Sequence, residues 1–317
     1  MRLRNIYFGP ALDASGAEGF FGEGYRYHKF SPLIGPNFKG CTFVAKTVTL
    51  NSRKGNLLLK KDGITFKELK PKCIKVNLFK GIVLNADGLS NPGARALFED
   101  GRWQKRTQPF FLSFMSVGST PEERAFELKK FVEMFGSFLP GFNASVGLQI
   151  NYSCPNAGLK LEELIDEVKC GLKIASVLGI PLMPKFNVLV SIEKAREISE
   201  DQNCDALCVS NTIPWGQLSE KLDWQRLFGS AKSPLAQFGF GGLSGKPLLG
   251  LVANWVFRAR KAGISKPINA GGGILAPGDV DILYKAGASS VFIGSMAILR
   301  PWRAQKTIKR AHQVFKG

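Results

Sequence analysis

The stretch NYSCPNAGLK (151–160) sets Asn151, Ser153, Cys154 and Asn156 within six positions, between the apolar-rich run ASVGLQI and a helical pattern. A thiol between two amides at a strand-to-loop boundary has two readings. It is a small apolar filler, or it moves a proton on something the asparagines hold. The thiolate is the reactive form, and a free thiol is only slightly ionised at neutral pH, so the second reading needs neighbours that favour the anion.

Other residues suited to such chemistry are spread along the chain. Lys46 in VAKTVT and Lys185 in MPKFN have apolar neighbours on both sides. That setting fits a lysine that meets a buried anion better than one solvated at the surface. Asn85, Asn151, Asn156 and Asn211 each carry a donor and an acceptor, which suits a planar ligand with amide and carboxylate edges. Singly, each is also an ordinary turn or cap residue. Three glycine-bearing segments come late: GFGGLSGKP (239–247), NAGGGILAPGD (269–279) and FIGS (292–295). Glycine lets the backbone approach a phosphate closely, and helix-start N–H groups favour its charge. Tight turns between strands and helices are the plainer alternative. His28 and His312 are the only histidines, which leaves little for a histidine triad or a zinc site. Cys204 and Cys208 flank a strand-like DALCV with no histidine near, so no metal is expected.

The elements that must position these residues are legible as an alternation. CTFVAKTV (41–48), GIVLNA (81–86), PFFLSFM (109–115), ASVGLQI (144–150), PLMPKF (181–186), DALCVS (205–210), KPINA (266–270) and SVFIGS (290–295) read as buried strands. Amphipathic helices lie between several of them. Thr120, Pro121 and Glu123 form a helix-start signature before the stripe Leu128, Phe131, Val132 and Phe135. LEELIDEVKCGLKIASVLG, SIEKAREISE and PLLGLVANWVFRARKAG repeat the pattern, and the last helix turns Ala304, Ile308, Ala311 and Phe315 inward. Eight such strands suggest a single-domain α/β fold, a (β/α)8 TIM barrel over residues 1–317, with an open doubly wound sheet as the rival. The polar residues favour the barrel. Lys46, Asn85, Asn151, Lys185, Asn211 and Gly271–Gly273 all fall at or just past strand ends, and a barrel gathers those ends around one mouth.

Composition sets the outer limits. A hydrophobic content of 44% and a mean hydropathy of −0.01 are those of a globular chain. No apolar run is long enough to span a membrane, and the N-terminus lacks a signal-peptide core, so a cytoplasmic protein is expected. The 43 basic residues against 25 acidic ones give a net charge of +18, which attracts anions.

Taken together, KTVT, NADGLSN (85–91), NYSCPN, GGLSG, AGGGI and IGS resemble the dihydroorotate dehydrogenase family, in the family's order and over nearly the whole chain. The resemblance implies an FMN-binding barrel that oxidises dihydroorotate to orotate in de novo pyrimidine synthesis. It places Ala14, Ser15, Lys46, Thr47, Asn151, Lys185 and Ser210 against the flavin. Gly245, Gly272, Gly273, Gly294 and Ser295 would cradle its phosphate. Asn85, Gly88, Leu89, Asn151, Asn156, Asn211 and Thr212, with Lys46, would hold the substrate. Cys154 takes the position of the catalytic base, with Lys46 beside it. Oxidation removes a proton from C5 and a hydride from C6; flavin N5 accepts the hydride and a Cys154 thiolate the proton. Lys46 and the basic mouth would lower the pKa of that thiol. The cysteine, Lys46 in KTVT and the absence of an N-terminal extension resemble the soluble class. Its electron acceptor is fumarate or a partner iron–sulfur/FAD subunit, and it leaves room for a homodimer.

One position departs from the pattern. Asp87 stands where the family usually has methionine, and a carboxylate pointing inward would repel an anionic substrate. Two other readings remain. A tRNA dihydrouridine synthase-like flavin enzyme would suit the charge, but no RNA-binding segment follows the barrel, so nucleic acid is not the expected partner. A non-catalytic barrel that binds flavin or nucleic acid is the other.

Overall fold

The computed structural model describes residues 1–29, 35–152 and 164–316. Seven parallel strands lie in the spatial order Ala11–Asp13, Ser290–Ile293, Ile268–Gly271, Leu207–Val209, Leu182–Phe186, Val146–Asn151 and Phe110–Phe114. The two outer strands are joined through residues 42–48. Thr42 bridges Leu12, while Val44 and Val48 bridge Phe111 and Phe114. This segment closes the ring without forming a regular ladder, because the Lys46 N–H turns aside to Gly19 O at 2.8 Å. The result is an eight-membered parallel barrel.

Such strands are buried on both faces, which is why they read as nearly continuous apolar runs. Leu12, Val44, Phe111, Met183, Cys208 and Phe292 pack together as one cluster with Leu3 and Phe8 of the N-terminal segment. The Phe8 and Phe111 rings lie 4.3 Å apart. Helices cover the outside. The helix Pro121–Phe138 starts on the expected capping box: Glu123 N–H donates to Thr120 Oγ1 at 3.2 Å and Thr120 N–H to Glu123 Oε2 at 3.3 Å. A cap of this kind contributes about 1 kcal/mol. Its inner stripe meets the barrel at Phe131, stacked 4.0 Å from Phe114. Arg124 ties the same helix to Leu164–Ala175 through a two-pronged pair with Glu167 at 2.7 and 2.8 Å.

Two strand expectations need correction. The run 81–86 is not a barrel strand. Ile82–Asn85 belongs to a separate antiparallel sheet in the order Ile213–Pro214, Gly242–Gly245, Ile82–Asn85, Ile74–Asn77. A short apolar run reports burial, not the direction of its partner. The first barrel strand is instead Ala11–Asp13, three residues long and too brief to show a period. Among the described residues, no helix is long and apolar enough to cross a membrane.

Candidate active site

Lys46, Asn151, Lys185, Ser210 and Asn211 stand at the carboxyl ends of the barrel strands, and the antiparallel sheet brings Asn85 to the same mouth. Two adjoining cavities open there. One is walled by Ala14, Ser15, Lys185, Ser210, Gly272, Gly273, Gly294 and Ser295. The other is walled by Lys46, Thr47, Asp87, Gly88, Leu89 and Asn151. Ser15, Asn85, Lys185, Asn211 and Thr212 line both. Of the expected residues, Gly245 lies in neither wall; its neighbour Ser244 does. Cys154 and Asn156 lie outside the described residues.

The second cavity is held by paired polar groups. Asn211 donates from Nδ2 to Asn151 Oδ1 at 3.1 Å, and its own Oδ1 accepts the Thr212 N–H at 2.8 Å. Asn85 Oδ1 accepts the Asp87 N–H at 2.7 Å. Ser15 Oγ lies 2.8 Å from Thr47 Oγ1, which lies 2.9 Å from Ser113 Oγ, so a hydroxyl chain runs into the barrel. Lys46, 5% exposed, pairs through Nζ with Asp87 Oδ2 and sits over the Phe20 ring. Asp87 therefore does point inward. The charge of Lys46 is met by it, which weakens the expectation that Lys46 promotes ionisation of a nearby thiol.

Lys185 is different. It is buried, and burial lowers its ammonium pKa. Its Nζ lies 5.3 Å from the centre of the Phe292 ring, and among the described residues no carboxylate comes within ion-pair distance. A buried ammonium without an anion is costly, and a ligand that brings negative charge would relieve it.

The glycine wall can cradle a phosphate. Gly273 has φ +80°, and a Cβ there would come within 2.7 Å of Gly245 O and Leu249 N. A Cβ on Gly294 would lie 2.7 Å from the Ala14 Cβ. Only glycine fits at these two positions, beside the start of the helix Leu248–Lys261. The residues thus fit FMN on two counts: a glycine cradle for its phosphate, and a buried, unmatched cation for the ring edge that becomes negative on reduction.

Tyr25 also lines both cavities, and sequence reasoning missed it. It lies in GFFGEGYRYH, where nothing in residue type or spacing marks it. A cis peptide joins Val209 to Ser210 at the cavity wall.

The family model for dihydroorotate dehydrogenase matches residues 7–314. The catalytic subunit of dihydroorotate dehydrogenase B (NAD(+)) from Endomicrobium trichonymphae is 28% identical over 323 residues, covering 100% of this chain and 90% of its own. Dihydroorotate dehydrogenase A (fumarate) from Lactobacillus delbrueckii subsp. bulgaricus is 29% identical over 298 residues, covering 90% and 83%. The ligand-free DHODH of Eimeria tenella superposes with a TM-score of 0.66 at 19% identity, over 98% of this chain and 85% of that one. At that identity the superposition supports the barrel alone.

Proposed function

This chain belongs to the dihydroorotate dehydrogenase family, and on that premise we propose that residues 1–317 act as one domain whose two adjoining cavities hold FMN and dihydroorotate. The family oxidises dihydroorotate to orotate in pyrimidine biosynthesis, an oxidation of a CH–CH bond that depends on FMN. The observation that carries the assignment is the shared wall. Ser15, Asn85, Lys185, Asn211 and Thr212 face both cavities, so a ring in one lies against a ring in the other.

Bound FMN supplies the acceptor for the hydride that leaves C6. The chain's own residues do the rest. The backbone of Gly272, Gly273 and Gly294, with Ser295, holds the phosphate. Lys185 meets the negative charge that the reduced ring gains, in a site where desolvation strengthens the contact. Asn85, Asn151, Asn156 and Asn211 orient the substrate ring through its amide edges. Cys154 takes the C5 proton, the task its place between Asn151 and Asn156 suits. Electrons then leave to fumarate or to a partner subunit that draws on NAD, the alternatives that the two relatives' names carry.

The test is direct. The purified protein should be yellow, and anaerobic dihydroorotate should bleach its flavin band near about 450 nm. A colourless protein that FMN does not restore would overturn the assignment. Fumarate and NAD, offered to the reduced protein, then identify the acceptor.

A further inference from the structure

We propose that Asp87 opens this site to uncharged dihydropyrimidines, rings that carry no carboxylate, alongside dihydroorotate. The inference rests on the reading of the second cavity as a dihydropyrimidine site.

Two cations line that cavity among the described residues, Lys46 and Lys185. Lys185 also faces the glycine-walled cavity, where it answers the cofactor. Lys46 is the cation left to meet a substrate carboxylate, and Asp87 Oδ2 already occupies it. An anionic substrate must displace Asp87 or lie beside its negative charge. Both cost affinity.

The aspartate is also held in place. Its N–H donates to Asn85 Oδ1, and its carbonyl accepts the Asn56 and Leu57 N–H groups at 2.7 and 3.2 Å. A loop anchored at three points fixes where the carboxylate lies. The side chain is 19% exposed, and its second oxygen, Oδ1, is buried with no hydrogen-bond donor among the described residues. Buried acceptors left without a donor are uncommon and costly. Oδ1 itself has almost no accessible surface, so a ring in the cavity meets the exposed part of the side chain, where a ring N–H can donate. Dihydroorotate has the same N–H groups, but only a methyl-bearing or unsubstituted ring makes this contact without repulsion from the carboxylate and without a free cation.

Dihydroorotate is not excluded. The backbone N–H groups of Gly88 and Leu89 face no acceptor among the described residues and can take a carboxylate oxygen. The bond chemistry is the same for either class. One proton leaves C5, one hydride leaves C6 to the family's FMN, and a C=C bond forms.

The experiment is calorimetric binding of orotate and of uracil, the two oxidised products, to the oxidised flavoprotein, in wild type, Asp87→Asn and Asp87→Met. The flavin spectrum of each variant checks its fold. Wild type is expected to bind uracil within about threefold of orotate, or tighter. Both variants are expected to bind orotate at least tenfold tighter and uracil at least threefold weaker. A wild type that favours orotate by more than tenfold, with the ratio unchanged in Asp87→Asn, overturns the role of Asp87 and leaves the family reaction standing. A yellow protein that binds neither ring and is not bleached by dihydroorotate overturns the underlying reading and this proposal with it.

Discussion

Asn211 donates from Nδ2 to Asn151 Oδ1 across the mouth of the barrel, over the strand Leu182–Phe186 that separates their two strands. The Thr212 N–H, given to Asn211 Oδ1, fixes which way the Asn211 amide faces. The Asn211 amide is thereby set in orientation before a planar ring arrives.

Replacing Asn211 with Ala removes one ring contact and the hydrogen bond to Asn151 Oδ1. A lost contact to a buried polar group is worth about 1–3 kcal/mol. The Michaelis constant for dihydroorotate should therefore rise by roughly tenfold or more, with the flavin spectrum unchanged. Asn211→Asp should behave no better, because a carboxylate cannot donate to Asn151 Oδ1. Wild-type kinetics in both variants would count against the amide pair as a substrate clamp.

Much of this site was legible from the chain alone. Apolar flanks around Lys46 and Lys185 did mean burial, because a strand end inside a barrel mouth has no surface to offer. Asn151, Asn211, Gly272, Gly273 and Gly294 line the two cavities because parallel strands deliver their carboxyl ends to one side. Asn85 instead arrives through the antiparallel sheet, Gly245 lines neither cavity, and Asn156 lies outside the described residues. The ion pair of Lys46 with Asp87 was not legible. It joins residues 41 apart, and Asp87 follows the run 81–86, whose apolar pattern suggests a barrel strand but which lies in the antiparallel sheet. Tyr25 escaped for a similar reason: its segment reaches the cavities through tertiary path, not through any local pattern.

Lys185 separates stability from function. Lys185→Met keeps the length and apolar stem while removing a buried charge that has no anionic partner among the described residues. The apoprotein should gain thermal stability, since a buried unpaired charge is costly. FMN affinity should fall by about tenfold, a loss of roughly 1.4 kcal/mol. Fluorescence titration of apoprotein with FMN and a melting curve give both numbers. A variant that is less stable yet binds FMN normally would show that Lys185 serves the fold and not the cofactor.

Cys154→Ala tests the proposed base. The variant should keep its yellow colour and its affinity for orotate, because the thiol holds neither ring. Turnover near neutral pH should drop by about 100-fold to 10,000-fold, the range for losing a positioned base. Anaerobic stopped-flow reduction by dihydroorotate reads the step itself. Reduction at the wild-type rate would remove Cys154 from the mechanism.

Glu18 should make stability fall as pH rises. It lies with Asp13 beside Arg106, and burial, opposed by Arg106, pushes its carboxyl up to about 7 from an ordinary value of 4.5. Asp13 is also pushed well above the usual range, by burial first and the charge of Glu18 second. Between about pH 4.5 and 7 the folded protein therefore holds a proton that the unfolded chain has released. That contribution is complete below the lower value and is lost as pH climbs through the upper one. His28 works in the opposite sense over part of the range. Burial pushes its pKa down to about 4, so its share of stability grows as pH rises toward 6.5. The two oppose each other below pH 6.5, and a raw stability profile mixes them. Glu18→Gln isolates the first. The stability of wild type relative to the variant should decline by on the order of 2 kcal/mol from pH 5 to pH 8, read from urea melts. A difference that does not change with pH would mean that Glu18 ionises as freely in the fold as in the open chain.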